Sequence, residues 1–321
     1  MTSTMPQSTR GVGAGSETAP DWQLDEVVEQ LRQLREASLA ARQRLGRPAK
    51  LPSRSALARF IENVCAALFP NRLSSRELAQ ESVNYFVGHT LDRALKELVE
   101  QVVQEHRFTE VDRDSGDDVQ RNAVAVAREF AARLPGIRSI LDTDIQAAFQ
   151  SDPAARSLDE VLACYPGVRA VMHYRIAHSL HSLGACLIAR MISELAHSQT
   201  GVEIHPGAQI GASFFIDHGT GVVIGETAVI GKRVRLHHAV TLGAHRQSDH
   251  ERQDDDHYAP RHPIVEDDVI IYAGATLLGP IRVGSSSVIG GNVWLTTSVP
   301  AGSNISQAAV RTEAFQEGLG I

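Results

Sequence analysis

The sequence predicts an α+β protein: an N-terminal all-α helical domain, then a parallel β-helix of hexapeptide repeats with one projecting loop. Three observations predict it. Aliphatic residues recur every six positions in the last third of the chain. Glycine is concentrated there, with sixteen in residues 201–321 against nine in residues 1–200. The first two hundred residues carry apolar side chains at helical spacing instead. We divide the chain into a disordered tail (1–20), a helical domain (21–200), a β-helix (201–300, with a loop at 244–263) and a C-terminal tail (301–321).

Composition bounds the class. The chain has 321 residues, 43% apolar and 21% charged, which is a globular balance. Aromatics are 5%, so the core must be aliphatic. No apolar run approaches the ~18 residues of an ordinary transmembrane helix, so no membrane role is expected. Residues 1–20 are small and polar, with no signal-peptide core, which predicts a cytoplasmic protein. The net charge of −7 argues against a nucleic-acid partner. Cys65, Cys164 and Cys186 are odd in number, far apart and set in apolar helical patterns, so they are expected to be buried free thiols.

In the helical part, Leu24, Val27, Val28, Leu31 and Leu34 form one helix face within Trp22–Leu45. Ser53 is placed to cap a second helix through Leu68, ended by Pro70. Ser74 and Glu77 fit a capping box that would open a long helix reaching about His106. Residues 112–118 are expected to form a loop, followed by helices at 119–133, 136–150, 158–164, 168–183 and 185–199. Ser157 and Glu160 form a second capping box, and Gly184 is a helix stop.

From residue 201 the period changes. Ile204, Ile210, Ile216 and Val222 are six apart; after a slip of two, so are Ile224, Ile230, Leu236 and Leu242. After an interruption, Val265, Ile271, Leu277, Val283, Ile289 and Leu295 continue the spacing. A three-sided parallel β-helix has this period, since each side takes six residues. Fourteen such positions make about five coils, a prism on the order of 24 Å long. Small or branched residues recur four positions later, as at Ala208, Ala228 and Val240. Glycine often follows the aliphatic position (Gly211, Gly225, Gly231, Gly243, Gly284, Gly290), where we expect it to supply the φ freedom of a corner. The interruption, 244–263, is too polar for a coil and should project as a flap or arm.

A prism has no deep cleft of its own, but three side by side create grooves, so site residues should come from two chains of a trimer. The notable polar cluster is Asp217-His218-Gly219-Thr220-Gly221, directly after an inward aliphatic. Glu203, nearly one coil earlier, is a carboxylate that can orient an imidazole. A hydroxyl nucleophile needs such a base.

These stretches resemble a known family. Asp144-Ile145-Gln146-Ala147, Asp152-Pro153-Ala154, Ile204-His205-Pro206-Gly207-Ala208, Asp217-His218-Gly219-Thr220-Gly221, the Gly225–Gly231 segment, Val240-Thr241-Leu242-Gly243 and Arg261-His262-Pro263 are similar to serine O-acetyltransferases of the hexapeptide-repeat acyltransferase superfamily. The resemblance covers about residues 140–300. It implies a left-handed coil, against the general right-handed crossover preference. It implies acetyl transfer from acetyl-CoA to L-serine, without a metal or an acyl-enzyme. His218 resembles the general base and Glu203 its acidic partner, with Asp217 and His262 beside them. Asp144 and Asp217 resemble carboxylates that bind the serine ammonium; Arg261 and His262 resemble the groups that face its carboxylate. Gly243, Ala244, Ala273, Gly274, Gly279 and Gly291 are small enough to admit the pantetheine arm of CoA, and a backbone N–H near Gly243–Ala244 would serve the oxyanion. The resemblance further implies a homotrimer or a dimer of trimers, feedback by L-cysteine, and docking of the C-terminal Ile321 into O-acetylserine sulfhydrylase. Two departures stand out: Glu203 occupies a family aspartate position, and Val288 one where some members carry a lysine near CoA.

Three other readings remain open. An acetyltransferase for a sugar or antibiotic hydroxyl would share the repeats but not the Asp144–Ala147 motif. A zinc hydratase would draw three ligands from His205, His218, His237, His238 and His245. A noncatalytic trimeric scaffold would leave the Asp217–His218 pair unexplained.

Overall fold

The computed structural model describes residues 22, 24–41, 50–74, 77–109, 116–245 and 259–307. The sequence-derived expectations for residues 1–20, for 246–258 of the polar loop and for Ile321 lie outside the described residues.

Helix α1, Leu24–Ala41, belongs to the first of two compact units, and the chain from Ala49 onward is the second. Leu24, Val27, Val28, Leu31 and Leu34 share one face of α1 and are all exposed. Arg32 bridges Glu29 and Glu36, at 2.6 Å each, one turn either side.

In the second unit, α2 (Arg54–Leu68) starts where Ser53 Oγ accepts the amide of Ala56. Pro70 does follow α2, but as the first residue of a short α3 (Pro70–Leu73). The long helix does not open at Ser74–Glu77. Ser74 instead follows the last residue of α3, and α4 begins only at Val83, running to Thr109 after a 3-10 turn at Gln80–Ser82. Leu78, Val83 and Phe86 are half-buried, and the first buried residue of α4 is Thr90.

The two helices expected at 119–133 and 136–150 are one, α5 (Gly116–Ser151), with Pro135 inside it. Proline removes one helix hydrogen bond, at a cost of about 3 kcal/mol. Leu134, Ile137 and Leu141 are buried on either side of it, which offsets that cost. Helix α6 (Leu158–Cys164) has its capping box: Ser157 Oγ accepts from Glu160 N, and Glu160 reaches back to the amide of Arg156. Helices α7 (Pro166–Ser182) and α8 (Cys186–Thr200) follow, with Gly184 and Gly201 at φ +88 and +70 after their ends. Cys65 is buried, and desolvation pushes its thiol up to about 12. Cys164 and Cys186 are exposed because they stand at helix ends.

The rest is a left-handed parallel β-helix of three faces. Face A stacks β1 (Glu203–Ile204), β4 (Val223–Ile224), β7 (Thr241–Gly243), β10 (Thr276–Leu278) and β13 (Trp294–Leu295). Face B stacks β2 (Gln209–Ile210), β5 (Val229–Ile230), β8 (Ile264–Val265) and β11 (Arg282–Val283). Face C stacks β3 (Phe215–Ile216), β6 (Arg235–Leu236), β9 (Ile270–Ile271), β12 (Val288–Ile289) and β14 (Asn304–Ile305). The aliphatic positions meet their counterparts as expected: Ile204 on Ile224, Ile210 on Ile230, Ile216 on Leu236. Val222 is the exception. It is buried but lies outside the strands, because the chain makes a wider turn between Ile216 and Val223. The repeat also runs past Pro300, since β14 adds a strand beside β12.

The glycines after the aliphatic positions have no positive φ. Left-handed positions fall instead on non-glycine residues such as Ser213, Arg233, Asp268 and Ser286 at one edge and Ala239 and Asn292 at another, and on other glycines such as Gly274. The glycines that follow the aliphatic positions answer crowding. A Cβ on Gly231 would stand 2.7 Å from Asp267 N, and one on Gly284 2.3 Å from Ala301 N.

The first coil is an open sheet edge, which must be covered. Helices α5 and α7 cover it. Tyr174 donates to Ala208 O at 2.6 Å, Arg175 to Ile210 O at 2.5 Å and Gly211 O at 2.6 Å, and Ser213 N donates to Thr143 Oγ1 at 3.0 Å. Among the described residues, no helix is long and apolar enough to cross a membrane.

Candidate active site

At the edge between faces C and A, the wide turn of the first coil presents Asp217 and His218. His218 and Gly219 adopt φ +61 and +86, which swings the imidazole outward to 74% exposure. Gly219 is required there, since a Cβ would stand 2.9 Å from Val202. Asp217 stays almost buried. Its Oδ2 accepts from Arg235 Nη2 at 2.6 Å, and its Oδ1 lies 3.7 Å from His218 Nε2. His237 Nδ1 is 3.5 Å from Asp217 Oδ2, and the His237 ring stacks on Tyr272 at 4.8 Å. Burial, reinforced by Arg235, lowers the His237 pKa.

Asp152, just after α5, joins this cluster. Tyr165 donates to its Oδ2 at 2.5 Å and Ala154 N to its Oδ1 at 2.8 Å. The Tyr165 hydroxyl holds this carboxyl below the usual range, with the Ala154 amide, Arg235 and His218 acting in the same direction. Sequence reasoning singled out Asp152-Pro153-Ala154 as a motif but gave the aspartate no role. The signal was its position at the end of a helix, eight residues after Asp144.

Asp144 itself is elsewhere. It is 2% exposed; Oδ1 accepts from Arg175 Nη2 and Phe214 N, and Oδ2 from Arg175 Nε. With its carboxylate enclosed by these donors, Asp144 holds α5, α7 and the first coil together, and it is not open to a substrate ammonium. Glu203, on β1, is held from α8. Its Oε1 accepts from Arg190 Nη2 at 3.1 Å, and the carboxylate facing His218 is that of Asp217.

The edge between faces A and B carries Arg261 and His262. Arg261 pairs with Glu226, and its amide donates to Thr227 Oγ1. His262 is 7% exposed; its Nδ1 accepts Thr227 N at 3.1 Å and meets Thr227 Oγ1 at 2.8 Å. Thr227 Oγ1 also accepts the amides of Arg261 and His262, so its own proton points to Nδ1. Burial first, then Arg261, lowers the His262 pKa, and with Nδ1 accepting from Thr227 the neutral ring carries its proton on Nε2. Gly225 makes room for it, since a Cβ there would lie 2.0 Å from the ring. Nearby, burial pushes His205 down to about 4.

The two clusters of a single chain stand on opposite edges of face A. The small residues divide between the same edges. Ala273, Gly274 and Gly291 continue the column above His218 and His238, whose rings meet edge-on at 5.7 Å. Gly243, Ala244 and Gly279 lie on the other edge, where Gly279 N donates to Gly243 O. Among the described residues, no group of three or more His, Cys, Asp or Glu is arranged to hold a metal ion.

No family model matches the chain. Over 310 residues it is 47% identical to the plasmid serine acetyltransferase of Synechococcus elongatus, covering 95% of this chain and 97% of that one. It is 51% identical over 157 residues to the serine acetyltransferase of Mycobacterium tuberculosis, 49% of this chain and 65% of that one. Among solved structures, serine acetyltransferase isoform 3 of Entamoeba histolytica, in complex with cysteine, superposes with a TM-score of 0.68 at 30% identity over 91% of this chain and 96% of that one. The native serine acetyltransferase 1 of that organism gives 0.67 at 33% identity over 82% of this chain and 90% of its own. A relative at this identity, matched along nearly the whole of both chains, settles kinship: the chain belongs to the serine acetyltransferase family.

Proposed function

We propose that this chain transfers the acetyl group of acetyl-CoA to the hydroxyl of L-serine by direct attack, with His218 as general base. The observation that carries the reading is the exposed His218 imidazole beside two carboxylates, Asp217 and Asp152. The serine ammonium binds between those carboxylates. The serine carboxylate meets Arg261 and the Nε2–H of His262 from the A–B edge of a neighbouring copy in a homotrimer. His218 accepts the hydroxyl proton as the serine oxygen attacks the thioester carbonyl. The tetrahedral oxyanion is held by a backbone N–H near Gly243–Ala244, and collapse breaks the C–S bond. His218 then returns its proton to the departing CoA thiolate, so no acyl-enzyme forms. The small residues Ala273, Gly274, Gly279 and Gly291 leave room for the pantetheine arm.

The reading places the enzyme in the cytoplasm, at the step of cysteine biosynthesis that activates serine. Cysteine differs from serine by one atom, so it competes for the same pocket as a feedback inhibitor; a cysteine complex of an Entamoeba histolytica relative supports this. Helical domains of two trimers join into a hexamer, and Ile321 docks into O-acetylserine sulfhydrylase.

The test is release of CoA thiol with a panel of acceptors. Serine should far outrun threonine, sugars and water, and His218→Ala should lower turnover by about 10²–10⁴-fold with acetyl-CoA binding retained. Near-normal turnover in that variant would remove His218 from the role.

A further inference from the structure

Two carboxylates beside an imidazole create a difficulty for a base. A carboxylate beside an imidazole stabilises its cation, and an imidazolium cannot accept a hydroxyl proton. The charged and titratable groups around His218 come from several elements. They are Asp217 on its own turn, Asp152 after α5, Arg235 on β6, and His237 and His238 on the next coil. Burial lowers the His237 pKa. Arg235 is then the fixed cation of the cluster.

Its geometry is built rather than incidental. Arg235 Nη2 bonds Asp217 Oδ2 at 2.6 Å, and Nη1 bonds the Ser151 carbonyl at 3.0 Å, one residue before Asp152. The guanidinium lies 5.5 Å over the Phe215 ring. Its Nε is buried without a hydrogen-bond partner, as is His237 Nε2 beside it. Unsatisfied buried donors are costly and uncommon, so a guanidinium kept under that penalty calls for an explanation.

We propose that Arg235 is a positioning residue for acetyl transfer: it ties up one oxygen of Asp217, leaves the other facing His218, and cancels one of the two carboxylate charges there. The cluster Asp152, Asp217 and Arg235 then carries one net negative charge, matched to one substrate ammonium. Arg235 acts through Asp217 and His218 and does not touch the reacting atoms. This inference rests on His218 being the base.

The experiment is the pH profile of kcat/KM for serine, which reports the free enzyme's essential groups. It is measured for the full-length protein, Arg235→Gln, Arg235→Lys and Asp217→Asn. Arg235→Gln should move the acid limb to higher pH by about half to one and a half units, the range expected for one charge several ångströms away. Arg235→Lys keeps the charge and should leave the limb within about 0.3 units while raising KM for serine. Asp217→Asn removes the other charge and should move the limb to lower pH, which keeps the test decisive if Arg235→Gln fails to fold. Limbs unmoved in folded Arg235→Gln and in Asp217→Asn would overturn the proposal. His218→Gln separates the two layers. If it abolishes turnover and the limbs do not move, the tuning role fails alone; if it retains turnover, the choice of base has failed.

Discussion

Asp144 and Arg175 face each other across α5 and α7 in a two-bond ion pair, Oδ1 to Nη2 and Oδ2 to Nε, each 3.1 Å, with side chains 3% and 6% exposed. Arg175 also caps the Ile210 and Gly211 carbonyls of the first coil, so the pair joins the helices to the solenoid. Asp144→Ala should therefore cost about 3–5 kcal/mol, because it strands a buried guanidinium. In the folded fraction the serine KM should not change. Asp152→Asn should do the reverse, raising the serine KM with little loss of stability. Urea unfolding and steady-state kinetics on both variants check the contrast; a serine-specific KM defect in Asp144→Ala would return that residue to the site.

This exchange of roles marks where the sequence stopped being legible. The six-residue period displayed the solenoid openly, since the aliphatic positions, Val222 apart, stack on their equivalents. The turn at Asp217–His218 was visible as a slip in that period. Which of Asp144 within α5 and Asp152 just after it reaches the His218 turn was not visible, because that depends on how α5 lies against α7. Nor was the fate of Glu203, since Arg190 on α8 claims it through tertiary packing. Pro135 misled for a related reason: local propensity lost to the burial of Leu134 and Ile137.

Glycines that answer crowding make position-specific predictions. In Gly225→Ala the added methyl occupies the space of the His262 ring, which must leave its Thr227 bonds. Turnover should fall roughly 10–100-fold at little cost to the fold, since a displaced side chain can yield. In Gly231→Ala the methyl meets Asp267 N at 2.7 Å and the Glu266 carbonyl carbon at 2.8 Å. Backbone cannot yield as easily, so that variant should lose about 1–3 kcal/mol. Melting curves and kcat measured together distinguish the two; equal melting losses would mean that the His262 ring is not free to move.

His173 should make stability depend on pH. It is buried on α7 with Nδ1 unpartnered, and desolvation, helped by Arg169, pushes its pKa to about 4 from 6.5. Between those values the unfolded chain binds the proton and the folded chain refuses it. Stability is therefore full above about pH 6.5 and falls as the pH drops towards 4, by up to about 3 kcal/mol from this residue. Urea midpoints at pH 7 and 4.5 should fall less in His173→Leu than in the parent. Equal slopes would mean that the buried ring is protonated in the folded state.

The two clusters make the last prediction. His218 and His262 stand on opposite edges of face A, with the width of a sheet between them, so one prism cannot apply both to one serine. In the homotrimer we propose, the His218 edge of one copy stands against the His262 edge of the next. Chains carrying His218→Ala and chains carrying His262→Ala should each be inactive as pure oligomers. Co-expressed with different tags, they should assemble into hybrids in which some interfaces join two intact edges. With random assembly in equal amounts, roughly a quarter of the interfaces qualify, so roughly a quarter of the parent activity should return. The recovered activity should bind serine with the parent KM, because a rebuilt site is a whole site. Hybrids isolated through both tags that stay inactive would mean that the two histidines do not serve one reaction.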